Sequence, residues 1–238
     1  MEVRAVFFDA GETLVYPHPS FAELFAEVLW EEGHPVDPET LREVVHASSE
    51  RFNELMRSET ALNWSTSPER SRALWDLVYR MFLGETNVPE ADHARLVNAL
   101  YERFRSIASY RLYPDALPTL ERLRKAGMSL GLISNFEDWL EQLLETLEVS
   151  PFLDVSVISG IEGVEKPDTR IFEIALERAG VDAGSSVYVG DNPIFDAEPA
   201  RAAGMIPVLI DRRGRHPDVD VLRITSLEDL PEALGLQV

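Results

Sequence analysis

A short run of strand character, residues 3–8, ends at Asp9, and no second strand follows for about ninety residues. Beyond Pro114 the pattern becomes a regular alternation, with strands at 129–133, 155–158, 186–189 and 206–210. Helices of about ten residues separate them, at 115–126 (ending at Gly127), 137–147, 168–179 and 196–203 (ending at Gly204). Few folds accommodate this arrangement. Strands joined through helices make right-handed crossovers and a parallel sheet covered on both faces. The first strand cannot bury its apolar side chains alone, so it belongs to the same sheet. The expected architecture is α/β: a Rossmann-like parallel sheet with helices on both faces, interrupted after its first strand by a helical insertion.

The insertion carries its own helical signals. Phe21, Leu24, Phe25, Val28 and Leu29 follow the i, i+3, i+4, i+7, i+8 spacing of an amphipathic helix. Asp37-Pro38-Glu39 combines an N-cap with proline at the first helical position, and Leu41, Val44, Val45, Phe52 and Leu55 continue that helix. Ser67-Pro68-Glu69 opens another, carrying Leu74, Leu77, Val78, Met81 and Phe82. Pro89 opens a fourth, with Leu96, Leu100 and Phe104 on its face.

Charge and composition narrow the function classes. With 42 acidic and 22 basic residues the net charge is −20, a potential that repels phosphate backbones and anionic lipid, so neither nucleic acid nor a membrane is an expected partner. A local cationic site can still hold a small anion, because screening acts over about 8 Å. The absence of cysteine excludes a disulfide scaffold, thiolate zinc, iron–sulfur clusters and a cysteine nucleophile. The clearest apolar run, 205–210, is far short of the roughly 18 residues of a membrane span. The first residues enter a strand at once and leave no room for a signal peptide, so the expectation is a cytoplasmic enzyme. Only two basic residues are lysines, Lys125 and Lys166, which makes each worth following.

In an open parallel sheet, ligands sit outside the carboxyl ends of the strands. The first strand delivers Asp9-Ala10-Gly11-Glu12-Thr13 there, and the second delivers Ser134-Asn135. Lys166-Pro167-Asp168 follows the third, while the fourth gives Gly190-Asp191-Asn192 and, five residues after Asp191, Asp196. Each of these has an ordinary reading when taken singly: a turn aspartate, a helix cap, a solvated lysine. Their joint position at one end of successive strands is not explained that way. Clustered carboxylates repel unless a cation or proton intervenes, and oxygen ligands favour Mg²⁺ over zinc.

These residues carry a resemblance to the haloacid dehalogenase-like hydrolase superfamily. Its four motifs, an Asp-x-Asp-x-Thr loop, a Ser/Thr after the second strand, a Lys usually followed by Pro, and Gly-Asp-x-x-x-Asp, match at Asp9 to Thr13, Ser134, Lys166-Pro167 and Gly190 to Asp196, the last with four residues rather than three between its aspartates. The chain is similar to the branch with a helical cap between the first two motifs. The resemblance implies a cap over residues 16–108 and a catalytic core made of 1–15 and 109–238. It also implies a Mg²⁺-dependent phosphatase acting on a small phosphorylated metabolite. Asp9 would attack phosphorus and form an aspartyl phosphate. Mg²⁺ would be held by Asp9, the carbonyl of Gly11 and Asp191, with Asp196 anchoring a metal water or Lys166. Ser134, Lys166 and the backbone around Ala10, Gly11 and Asn135 would cradle the phosphoryl oxygens.

One position departs from the family pattern. Gly11 stands where the second motif-one aspartate protonates the leaving group, a service worth roughly 10²–10⁴ in rate. Glu12 is the nearest substitute acid along the chain, and a solvated turn residue is its other reading. Two alternatives therefore stay open: a catalytically weak or inactive binding protein, and a 2-haloacid dehalogenase-type hydrolase, against which the retained Asp191 argues. No lysine lies in the insertion, so imine chemistry from a cap lysine is not expected. The five histidines show no metal-ligand spacing, Gly160 to Gly163 lacks the third glycine of a dinucleotide loop, and Trp64 and Trp75 read either as packing or as pocket lining.

Overall fold

The computed structural model describes residues 3–235. In chain order it runs β1 (Ala5–Phe8), β2 (Val15–Pro17), α1 (Phe21–Glu31), α2 (Pro38–Ala47), α3 (Ser49–Arg57), α4 (Pro68–Leu83) and α5 (Glu90–Phe104). The chain then passes β3 (Tyr110–Leu112), which pairs with β2, and continues α6 (Ala116–Lys125), β4 (Ser129–Ser134), α7 (Leu140–Thr146), β5 (Val155–Ile158), α8 (Ser159–Glu162) and α9 (Arg170–Ala179). It closes with β6 (Ser186–Gly190), a π-helical turn at Pro193–Ala197, α10 (Glu198–Ala202), β7 (Ile206–Ile210), β8 (Leu222–Ile224) and α11 (Leu230–Ala233). The described residues divide into two units, 16–111 and the pair of segments 3–15 and 112–235. Among the described residues no helix is long and apolar enough to cross a membrane.

The sheet unit is six parallel strands in the order β5-β4-β1-β6-β7-β8. β1 lies in its interior with all four residues buried, which explains why its sequence is a continuous apolar run rather than an alternation. Alternate side chains take opposite faces. Ala5, Phe7, Ile133, Val157 and Tyr188 share one face with Ile171, Phe172 and Ala175 of α9 and with Ala200 and Met205. Val6, Phe8, Leu130, Leu132, Val187 and Val189 are buried on the other, where α6 packs against β4. Phe7 is in register with Gly131, and a Cβ at 131 would run into the Phe7 ring, so the smallest residue stands opposite the largest.

The helical unit has a separate core built on Leu24, Phe25, Leu29, Tyr79, Leu96 and Leu100. Asp37 and Ser67 cap α2 and α4 through their side chains, as the sequence implies. Trp75 stacks on Tyr79 with ring centroids 5.6 Å apart, and Trp64 meets Trp75 edge-on at 6.0 Å; both tryptophans pack against this core. The single helix expected from residue 37 onward is two, because the chain breaks at Ser48 between α2 and α3. The expected helix at 137–147 begins only at Leu140. β2, β3 and β8 were not expected. Each is three residues long, too short to display a period of two, and β8 is exposed at two of its three positions.

One polar clip holds the sheet unit together at the start of α6. The buried Asp115 carboxylate accepts from Arg212 at 2.7 and 2.9 Å, from Ser226 Oγ at 2.8 Å and from the Leu227 N–H at 2.9 Å. Burial alone would raise this carboxyl, but Arg212, the Leu227 N–H and Ser226 outweigh it and hold it below the ordinary carboxylate range. Asp115→Ala should therefore lose about 3 kcal/mol at neutral pH, the lower end for breaking a buried ion pair, since Arg212 keeps some solvent. A depressed folded-state value stabilises above the unfolded-state value and stops doing so as the carboxyl protonates. The wild-type advantage in urea denaturation should be full above about pH 4 and shrink below it; an advantage independent of pH would contradict this assignment.

Candidate active site

The parallel register brings the carboxyl ends of β1, β4 and β6 together, and five polar side chains converge there. Asp9 extends β1 by one residue, its N–H donating to the Val189 carbonyl at 2.9 Å. Ser134, the last residue of β4, donates its Oγ proton to Asp9 Oδ1 at 2.8 Å. Lys166 reaches the same oxygen from the loop after α8, with Nζ 2.9 Å from Asp9 Oδ1, 2.6 Å from Asp196 Oδ1 and 2.9 Å from Tyr188 Oη. Asp9, Ser134, Lys166, Tyr188 and Asp196 are all buried.

The surrounding residues fix this group. Asn135 grips the Lys166 backbone from both sides, donating from Nδ2 to its carbonyl at 2.8 Å and accepting its N–H on Oδ1 at 2.7 Å. Tyr188 Oη lies 2.9 Å from the Ile133 carbonyl and 3.0 Å from Asp196 Oδ1. Asp196 Oδ2 accepts from the Asn192 N–H at 2.9 Å, and the Asn192 side chain in turn caps the π-helical turn that carries Asp196. The Ala10 carbonyl accepts from Leu14 and Val15, folding the loop after Asp9 into a tight turn. Glu12 sits in that turn with a left-handed φ of 53°.

Burial works against the charge on Lys166, but Asp196 and Asp9 more than offset it and keep the ammonium protonated. Burial pushes the Asp9 carboxyl above its ordinary range, with Lys166 opposing and Asp196 adding to the rise. Asp191 is raised further, by loss of solvent and then by Asp196, Asp9 and Glu12. Oxygens of Asp9, Asp191 and Asp196 all lie within 4.8 Å of one another. Three carboxylates against one ammonium leave excess negative charge, and a donor set of oxygens alone fits a hard divalent cation such as Mg²⁺.

Of the residues expected at the site, the structure brings Asp9, Ser134, Lys166, Asp191 and Asp196 together. Asn135 acts through Lys166, and Ala10 and Gly11 form the turn beside Asp9. Gly11 does not have a left-handed φ, and a Cβ there would meet nothing within 4 Å. Glu12 does not join the group: its Oε2 accepts from Tyr113 Oη at 2.9 Å and Arg213 at 3.2 Å. Sequence reasoning missed Tyr188, which looks like core filler in a buried strand; the one signal was that a buried phenol needs a hydrogen-bond partner.

It also missed why residue 190 is glycine. A Cβ there would fall within the van der Waals shell of Asp196 Cγ. Gly190→Ala should displace Asp196 from Lys166 and destabilise the fold by about 1–3 kcal/mol through overpacking. Thermal denaturation checks the energy and a crystal structure of the variant checks the displacement; an unmoved Asp196 at wild-type stability would refute it.

Comparison with known proteins agrees with this geometry. The family model for haloacid dehalogenase-like hydrolases matches residues 3–204. The chain is 27% identical to haloacid dehalogenase-like hydrolase domain-containing protein 3 of Danio rerio, over 98% of this chain and 96% of that one. It is 32% identical to the glyceraldehyde 3-phosphate phosphatase of Methanopyrus kandleri, over 92% and 88% of the two chains. Among solved structures, a 2-haloacid dehalogenase from Pseudomonas syringae pv. Tomato is 28% identical with a TM-score of 0.61, covering 98% of each chain. A match that takes in the Asp9 loop, Ser134, Lys166 and the Asp191–Asp196 turn makes this chain a member of the haloacid dehalogenase-like hydrolases.

Proposed function

We propose that the protein is a Mg²⁺-dependent phosphohydrolase that acts on a small phosphorylated metabolite through an aspartyl phosphate. The observation that carries this reading is the asymmetry of Asp9. Oδ1 is held by Ser134 and Lys166, which orients Oδ2 as the attacking oxygen. Lys166, kept cationic by Asp196 and Asp9, stabilises charge on the transferring group. The N–H groups of Ala10, Gly11 and Asn135 would donate to its oxygens, and the Ser134 hydroxyl would turn to them from Asp9 Oδ1. Asp9, Asp191, the Gly11 carbonyl and Asp196, directly or through water, would hold Mg²⁺, which when bound neutralises phosphoryl charge. The phosphatase name of the relative from M. kandleri supports the reading.

In this reading residues 1–15 and 109–238 form the catalytic core, residues 16–108 form a cap that selects the substrate, and the enzyme works in the cytoplasm. Asp191 beside Asp9 and Asp196 favours phosphoryl transfer over displacement of halide from carbon, since crowded anions serve little purpose without a cation to share. The substitution of Gly11 favours one further reading, a catalytically weak binding protein. A phosphate-release screen over phosphorylated metabolites, with Mg²⁺ and with chelator, separates them. Wild type should release phosphate only with Mg²⁺, and Asp9→Asn should keep its fold and fall below detection. Wild-type-like release by an undeamidated Asp9→Asn protein would falsify the nucleophile assignment.

A further inference from the structure

We infer that the natural substrate carries its phosphoryl group on an acidic oxygen, as an acyl, enol or aryl phosphate, so that the leaving group departs as a stable anion. The inference rests on the phosphatase reading and concerns the proton that an alcohol leaving group needs. An alcohol is about as weak an acid as water, and its alkoxide leaves slowly unless an acid protonates it in the transition state.

The protons around Asp9 can be counted. The three on Lys166 Nζ point to Asp9, Asp196 and Tyr188. The Ser134 hydroxyl proton points to Asp9. The Tyr188 proton goes to the Ile133 carbonyl or to Asp196. The side-chain protons of Lys166, Ser134 and Tyr188 thus all point to buried acceptors, and the Thr13 hydroxyl, which has no partner among the described residues, is shut off from solvent. Residue 11 has no side chain, although the space its Cβ would enter is open. Glu12, the next carboxyl along the turn, is tied through Oε2 to Tyr113 and Arg213 rather than to the Asp9 group. With Asp191 given to the cation it shares with Asp9 and Asp196, the Asp9 group and the turn beside it supply, among the described residues of the sheet unit, a nucleophile and charge stabilisation but no outward-facing acid.

The chemistry balances without one. Asp9 Oδ2 bonds to phosphorus as the bond from phosphorus to the leaving oxygen breaks. That oxygen keeps the electron pair and later takes a proton from solvent. Water then attacks the aspartyl phosphate, the Asp9–phosphorus bond breaks, the carboxylate is regenerated, and the water's proton passes to solvent or phosphate.

The test is a set of para-substituted phenyl phosphates of nearly equal shape, with acetyl phosphate and an alkyl phosphate, assayed with Mg²⁺ against an Asp9→Asn blank. Turnover should fall about 100-fold or more from the most acidic phenol to phenol itself, the size of a missing general acid's contribution. Any loss in Glu12→Gln should be equal across the set, and Gly11→Asp should flatten the dependence by speeding the poor leaving groups. A shallow dependence in wild type, as a proton from the helical unit would give, overturns the inference. So does a loss in Glu12→Gln confined to poor leaving groups, or a folded Gly11→Asp protein with an unchanged slope. Release from no member of the set, acetyl phosphate included, fails the phosphatase reading itself.

Discussion

The buried ammonium of Lys166 is the interaction on which the site depends. An isolated charge in that environment would neutralise rather than persist. It persists because Asp9, Asp196 and Tyr188 surround it at 2.6–2.9 Å. Removing any one of them leaves a buried charge short of a partner, the most damaging change such a network can suffer. Its members come from the end of β1, from the middle of β6 and from the turn after β6, with Ser134 from β4 on the shared Asp9 oxygen. The same contacts that hold Asp9 therefore also lock three adjacent strands at one end.

Much of this was legible in the sequence because a parallel sheet turns order along the chain into proximity in space. Once strands and helices alternate, every strand exits on the same side, and the residue after each strand becomes a candidate. That logic found Asp9, Ser134, Lys166, Asp191 and Asp196 without any knowledge of distance. It could not find Tyr188, whose ring is core and whose hydroxyl is site; period-two patterning assigns a face but not what the tip of a side chain touches. It also said nothing of Gly190, where the constraint is the volume of Asp196 six residues later. The break at Ser48 and the three-residue β8 were illegible for a different reason: helix and strand patterns average over several residues, and neither feature lasts long enough to register.

The turn after Asp9 shows how residues distant in sequence shape a local conformation. Glu12 adopts a left-handed φ that a residue with a side chain enters at some cost. Tyr113 and Arg213 hold its carboxylate, Arg212 donates to the Thr13 carbonyl at 2.8 Å, and the Arg212 guanidinium stacks on the Tyr113 ring at 3.7 Å. Arg212 is itself fixed by Asp115, so the clip that secures α6 also supports the turn after Asp9. None of these partners stands out by motif; each becomes visible only when β3, β7 and the loop after β1 are seen side by side.

The distribution of lysine has a practical consequence. Lys125 projects from the end of α6 with 77% of its side chain exposed, whereas the Lys166 side chain is 4% exposed and its proton is held by two carboxylates. Reagents that acylate amines attack only the unprotonated, accessible form. The folded protein thus offers one reactive lysine side chain, away from the Asp9 group, to a dye, a spin label or a solid support.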